Sequence, residues 1–169
     1  LLHRTYENDS GALGYTIYVP ADCPDHGVSV IVMLHGGTQA VLDYAAGTGM
    51  NQFADRHRFL VIYPEQDARA NPMRYWNWFR PQDQRRGNAV PSLIAGITEQ
   101  VIDDYAADRD RIFIVGSSAG AAMPTVMAAT HSELYAPAGV HSGLPYGSAH
   151  DVQSAFALMR GENPSSRQD

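Results

Sequence analysis

The sequence predicts an α/β fold, a mostly parallel sheet flanked by helices, and three observations carry that prediction. Residues 28–34, 59–63 and 111–115 are almost continuously apolar and rich in branched side chains, the pattern of strands covered on both faces, as parallel sheets require. Residues 91–107 place Leu93, Ile94, Ile97, Val101, Ile102 and Tyr105 on one 3.6-residue stripe, which predicts a helix lying on such a sheet. Strand and helix patterns alternate along the chain, which implies right-handed crossover connections.

The remaining elements follow from the same patterns. Residues 14–19 set Tyr15, Ile17 and Val19 against Gly14, Thr16 and Tyr18 and stop at Pro20, which suits an exposed or edge strand. Residues 138–140 form a shorter strand ahead of His141, giving five strands. Helices are expected over 50–58, over the small residues 119–130, and over 151–160 with Val152, Ala155, Phe156 and Met159 on one side. Residues 66–89 read as a long polar loop holding the aromatic run Tyr75-Trp76-Asn77-Trp78-Phe79, and long loops in compact domains usually serve function.

Composition narrows the class. The 169 residues are 44% hydrophobic and 18% charged, enough for one domain with a real core and unlike a disordered chain. No repeat or linker divides residues 1–169, which read as a single domain. The net charge of −6 and the lack of any Lys/Arg run leave nothing to displace counterions from a polyphosphate, so nucleic acid is not expected as a partner. The apolar run 28–34 is far shorter than a membrane span needs, and Leu1-Leu2-His3-Arg4 has no signal-peptide core. Cys23 is the lone cysteine, so no internal disulfide is expected. No metal or other cofactor is expected either. The missing initial Met and the polar residues 163–169 suggest that these ends are not the natural termini.

The chemistry centres on Gly116-Ser117-Ser118-Ala119-Gly120. The pattern alone is weak, but here it follows an apolar strand directly and opens a helix, the strand-turn-helix setting of the nucleophile elbow in α/β-hydrolases. Ser118 is the predicted nucleophile. Ser117 has Val115 rather than glycine two residues before it, and the alternative is that both serines merely cap the helix. Leu34-His35-Gly36-Gly37-Thr38-Gln39 follows the first buried strand, where such hydrolases place one backbone donor of an oxyanion hole; Gly37 or Thr38 is the expected donor and Ala119 the second. His35 is read as a brace for this loop.

Together, Val32-Met33-Leu34-His35-Gly36-Gly37-Thr38-Gln39, Gly47-Thr48-Gly49-Met50-Asn51, Val61-Ile62-Tyr63-Pro64-Glu65-Gln66, Trp76-Asn77-Trp78-Phe79, the elbow, and His141-Ser142-Gly143-Leu144-Pro145-Tyr146-Gly147 resemble the polyhydroxybutyrate depolymerase family of esterases, related to feruloyl and acetylxylan esterases. The resemblance covers about residues 15–161. It implies an α/β-hydrolase fold and hydrolysis of a short-chain hydroxyacid polyester, oligoester or similar acyl ester through a Ser-His-Asp triad and an acyl-enzyme. A carbohydrate acyl esterase of feruloyl or acetylxylan type is the alternative substrate class. It also implies an extracellular location, with a cytoplasmic one left open. Family members often carry Cys where Gly37 and Tyr75 stand, so a disulfide some of them form is absent. The usual Gly-Glu-Pro segment appears as Gly87-Asn88-Ala89-Val90-Pro91, and Pro124 sits early in the elbow helix.

Trp76 and Trp78 are expected either to wall an acyl pocket or to cover the sheet edge, and His141, Leu144 and Tyr146 to line the pocket at a strand's carboxyl end. Such hydrolases order their triad as Ser, acid, His. Glu133 followed by His141 or His150 satisfies that order, but both groups would sit too close to the elbow helix. The acid and base are expected beyond Asp169, the chain being the N-terminal two-thirds or less of a catalytic domain, with the isolated chain nearly inactive. An incomplete sheet edge would favour self-association, and a noncatalytic hydrolase-fold protein is the reading of a different class.

Overall fold

The computed structural model describes residues 1–136 and 138–162, so the expectation for residues 163–169 lies outside them. The apolar runs become the centre of a sheet: β3 (Val30–Leu34), β4 (Leu60–Glu65) and β5 (Ile112–Ser117), with β6 (Ala138–His141) beyond β5. On the other side of β4 lie β2 (Gly11–Tyr18) and β1 (Leu2–Asn8). The order is β1-β2-β4-β3-β5-β6. The four strands from β4 to β6 run parallel, while β1 and β2 form an antiparallel hairpin joined antiparallel to β4.

Two expectations about strands change. Among the described residues there are six, not five, and β2 is interior rather than an edge, with Tyr15 and Ile17 fully buried. The strand that covers it, β1, has no apolar alternation because most of its residues are exposed. Its one sequence mark is the turn Asn8-Asp9-Ser10-Gly11, in which the Asn8 side chain accepts from the Ser10 N–H at 2.8 Å and Gly11 takes φ 126°, a glycine-favoured backbone.

The period-2 alternation divides the core. Val30, Val32, Leu34, Ile62, Ile112 and Ile114 face α3 (Ala89–Asp104) and α4 (Ala119–Thr130), whereas Met33, Val61 and Tyr63 face α1 (Val41–Thr48) and α2 (Met50–His57). Each fully buried aliphatic chain contributes about 1.5–3 kcal/mol relative to exposure. The predicted stripe of α3 is buried from Leu93 through Ile102. Helix α1 escaped prediction because its apolar face is only Val41, Tyr44 and Ala45. In α5 (Val152–Met159) the expected stripe meets the core only at Ala155, while Val152, Phe156 and Met159 remain about half exposed. The long loop also contains a 3₁₀ turn at Pro81–Gln84.

The segment leading into β6 is tied to α3 by a buried hydroxyl pair. Thr98 Oγ1 donates to the Ile94 carbonyl at 2.8 Å and lies 2.9 Å from the Tyr135 hydroxyl, which therefore donates to it. Thr98→Val strands the buried Tyr135 hydroxyl and should cost about 1–3 kcal/mol, whereas Tyr135→Phe leaves Thr98 bonded and should cost about 1 kcal/mol or less. Urea denaturation of the two variants checks that order.

Candidate active site

The register of the sheet brings the two predicted motifs together. Leu34 pairs with Gly116, and Ser117 pairs with His141, so the chain leaving β3, the turn leaving β5 and the end of β6 meet at one carboxyl edge. The approach is close enough to demand glycine. A Cβ on Gly116 would lie 1.9 Å from the Gly120 carbonyl oxygen, and one on Gly120 would lie 2.3 Å from the carbonyl oxygens of both Leu34 and His35. Backbone oxygens cannot move aside as a side-chain tip can, so both positions exclude a side chain.

Ser118 stands on this turn with φ 54° and ψ −123°, a conformation that non-glycine residues rarely hold. Its N–H donates to the His141 carbonyl at 3.0 Å, which fixes the turn against β6. The Ser118 side chain makes no capping bond to α4, contrary to the helix-cap alternative, and the residue is exposed. The turn therefore presents a solvent-accessible hydroxyl at the positive end of a helix.

Two backbone donors near the meeting of these chain ends are left unpaired. The N–H groups of Gly37 and Ala119 have no protein acceptor among the described residues. Thr38 differs: its N–H already donates to the Met73 carbonyl at 2.7 Å, so of the two expected loop donors Gly37 is the one left free. A Cβ on Gly37 would fall 2.3 Å from Tyr75 Cε1; the Tyr75 ring fills the space a side chain would take, at the two positions where relatives were expected to carry cysteines.

His35 holds this loop. The residue is fully buried, its Nε2 accepts from the Gln66 N–H at 3.1 Å, and its Nδ1 lies 2.7 Å from the Gly36 carbonyl. That pattern requires a neutral ring protonated on Nδ1. The His35 carbonyl in turn accepts from Trp76 Nε1 at 2.9 Å, with the two rings 5.2 Å apart. Burial pushes the His35 imidazole below its ordinary value of 6.5, against a smaller raising effect of the Gly36 bond.

A cavity of about 200 Å³ opens at Ser118, lined by Trp78, Ala119, Ala122, Ser142, Leu144, Leu158 and Met159. Of the predicted pocket residues, Trp78 and Leu144 line it. Trp76 does not: it is fully buried as the brace described above. His141 exposes its side chain and contributes its carbonyl, and Tyr146 donates its hydroxyl to the Gln84 carbonyl at 2.8 Å. Ser142, Leu158 and Met159 were not foreseen. Ser142 takes φ 57°, and Gly143 packs so tightly that a Cβ there would be 2.7 Å from that of Ala121, turning the chain back over α4. No imidazole or carboxylate bonds the Ser118 hydroxyl among the described residues; Glu133 is instead paired with Arg86. Neither is there a group of three or more metal-ligating side chains among them.

Comparison with known proteins identifies the scaffold. The family model described as "Esterase PHB depolymerase" matches residues 13–169. The chain belongs to this esterase family. Poly(3-hydroxyalkanoate) depolymerase C of Paucimonas lemoignei is 34% identical over 154 residues, 91% of this chain and 37% of that protein. A probable acetylxylan esterase A of Aspergillus fumigatus is 36% identical over 143 residues, 83% of this chain and 37% of that protein. The solved acetyl xylan esterase from Aspergillus awamori superposes with a TM-score of 0.80 at 27% identity, over 90% of this chain and 56% of that one. The fold is that of α/β-hydrolase esterases, and the chain spans little more than a third of the length of the two curated relatives. No helix among the described residues is long and apolar enough to cross a membrane.

The neutral His35 makes stability depend on pH. Its ring resists protonation when folded, so the unfolded chain binds the proton more readily. Its contribution is full above the ordinary value of 6.5 and is lost as pH falls from there toward the depressed folded value. His131, also lowered chiefly by burial, adds in the same direction. Urea stability should therefore fall from pH 7 to pH 5, with a shallower slope in His35→Gln.

Proposed function

We propose that the protein is a serine esterase working through an acyl-enzyme on Ser118. What carries the reading is the exposed, uncapped Ser118 at the mouth of an apolar cavity, with free N–H groups at Ala119 and at Gly37 on the two chain ends that the Leu34–Gly116 register brings together. Ser118 Oγ attacks an ester carbonyl, its proton passes to an imidazole, and the two N–H groups hold the tetrahedral oxyanion where its charge develops. The alcohol leaves with the proton, and water releases the acid by the same steps in reverse. In this reading the imidazole and its orienting carboxylate come from chain beyond Asp169, so the 169-residue chain alone should be nearly inactive.

The substrate class proposed is a short-chain hydroxyalkanoate polyester or oligoester. The depolymerase relative supports it, and so does the cavity, which at about 200 Å³ falls below the ~300 Å³ at which pockets for drug-sized ligands begin. It suits a small acyl group, with the rest of the substrate in solvent. The second reading, a carbohydrate acyl esterase, is favoured by the TM-score of 0.80 to an acetyl xylan esterase. The family points to an extracellular enzyme. Association at the β6 edge, where the described sheet ends, belongs to the same proposal.

The test is hydrolysis of p-nitrophenyl butyrate by the complete natural protein and by its Ser118→Ala variant. The variant should be slower by roughly a thousandfold or more. Equal rates would remove Ser118 from the reaction, and no hydrolysis by either would favour a noncatalytic hydrolase fold. Release of 3-hydroxybutyrate from its oligomers, against release of acetate from acetylated xylan, separates the two substrate classes.

A further inference from the structure

The two walls of the cavity come from chain segments far apart in sequence. Trp78 belongs to the stretch before α3, while Ser142 and Leu144 belong to the turn after β6. No strand pairing joins these segments. Among the described residues, hydrogen bonds join them through one buried residue that does not itself line the cavity. Gln84, in the 3₁₀ turn Pro81–Gln84, donates from Nε2 to the Trp78 carbonyl at 3.1 Å and to the Ala149 carbonyl at 2.7 Å. Its own backbone carbonyl accepts from the Tyr146 hydroxyl at 2.8 Å. One residue thus holds the Trp78 wall and both ends of the Tyr146 to Ala149 segment.

The turn that carries Gln84 is itself anchored. The Asp83 carboxylate accepts from the Val90 N–H at the start of α3 at 3.1 Å, and Arg86 donates to the Thr130 carbonyl at the end of α4 at 2.8 Å. Gln84 therefore works from a platform fixed to the two helices behind the site. The amide is also chemically specific: it has two N–H donors on one nitrogen, and it bonds both the carbonyl of the wall residue Trp78 and the carbonyl of Ala149, at the end of the segment that follows the Ser142–Leu144 wall. A carboxylate would set oxygen against oxygen, and a thioether would donate nothing.

We propose that Gln84 is a positioning residue that sets the width of the acyl cavity, and with it the length of acyl chain the enzyme accepts. The inference rests on the esterase reading for its substrate, but the coupling of the two walls stands on the structure alone. Without the amide, the segment after β6 keeps the Thr125–Leu144 and Tyr146–Gln84 carbonyl bonds but loses its tie from Ala149 to Trp78; the cavity then widens, and small acyl groups lose their fit while longer ones enter.

Two measurements on Gln84→Met and Gln84→Glu test it. Hydrogen exchange over residues 142–149 should quicken by about tenfold while β5 and α3 keep their protection. In the complete natural protein, the ratio of kcat/KM for octanoyl over butyryl esters should rise by about tenfold, the change lying in KM more than in kcat. Tyr146→Phe, which removes one tie and keeps Gln84, should move both readouts less. Thr98→Val, destabilised at a site that touches neither wall, should leave both unchanged relative to the wild type. Unchanged exchange at 142–149 in the Gln84 variants would overturn the coupling whether or not the protein hydrolyses esters. An unchanged chain-length ratio in an active protein would overturn the role in specificity. Absence of hydrolysis by the wild type would instead count against the esterase reading, with the exchange result still deciding the coupling.

Discussion

Gly120 lies so near the end of β3 that any side chain there would collide with the Leu34 and His35 carbonyl oxygens. This approach of the first turn of α4 to the end of β3 is the constraint on which the rest of the site depends. It places the loop after β3 and the elbow after β5 side by side, with the position of a Gly36 Cβ 3.4 Å from the Ser117 carbonyl oxygen. It also requires Ser118 to carry the turn in a backbone conformation with φ 54°, a strain of order 1–3 kcal/mol that the surrounding structure must offset. The offset is visible in the bond from Ser118 N–H to the His141 carbonyl and in the β3–β5–β6 register beneath it.

The loop after β3 is held as firmly as the elbow. His35 accepts from Gln66, bonds the Gly36 carbonyl and receives Trp76 on its own carbonyl, while Thr38 is tied to Met73. Buried polar groups that are fully paired rigidify a site, and a half-paired set would weaken it. Here the pairing leaves the Gly37 N–H free beside the elbow. The aromatic run after β4 thus splits its duties: Trp76 and Tyr75 support the loop, and Trp78 alone walls the cavity.

The central strands, α3 and α4 were legible because burial on both faces or on one stripe leaves an apolar pattern with a fixed period. Strand β1 was not, because an exposed edge strand has no such pattern and is held by its pairing with β2. The elbow and the glycine loop were readable since their glycines answer a steric demand that local sequence expresses. The fate of the Thr38 N–H was not, because Met73 lies 35 positions away in sequence and no pattern records that contact. Likewise Leu158 and Met159 reach the cavity only through the path of the chain after β6. The expected side of α5 is buried only in part: Ala155 is covered, while Val152, Phe156 and Met159 on the same side stay about half exposed.

In the proposed reaction the turn after β5 presents Ser118, and no other serine, as the nucleophile. The direct measurement is labelling of the complete natural protein with a serine-directed fluorophosphonate, followed by peptide mapping of the adduct. One adduct per chain is expected, on the peptide that contains Ser118 and lost in Ser118→Ala. An adduct on a different serine, or no adduct on a folded protein, would contradict it.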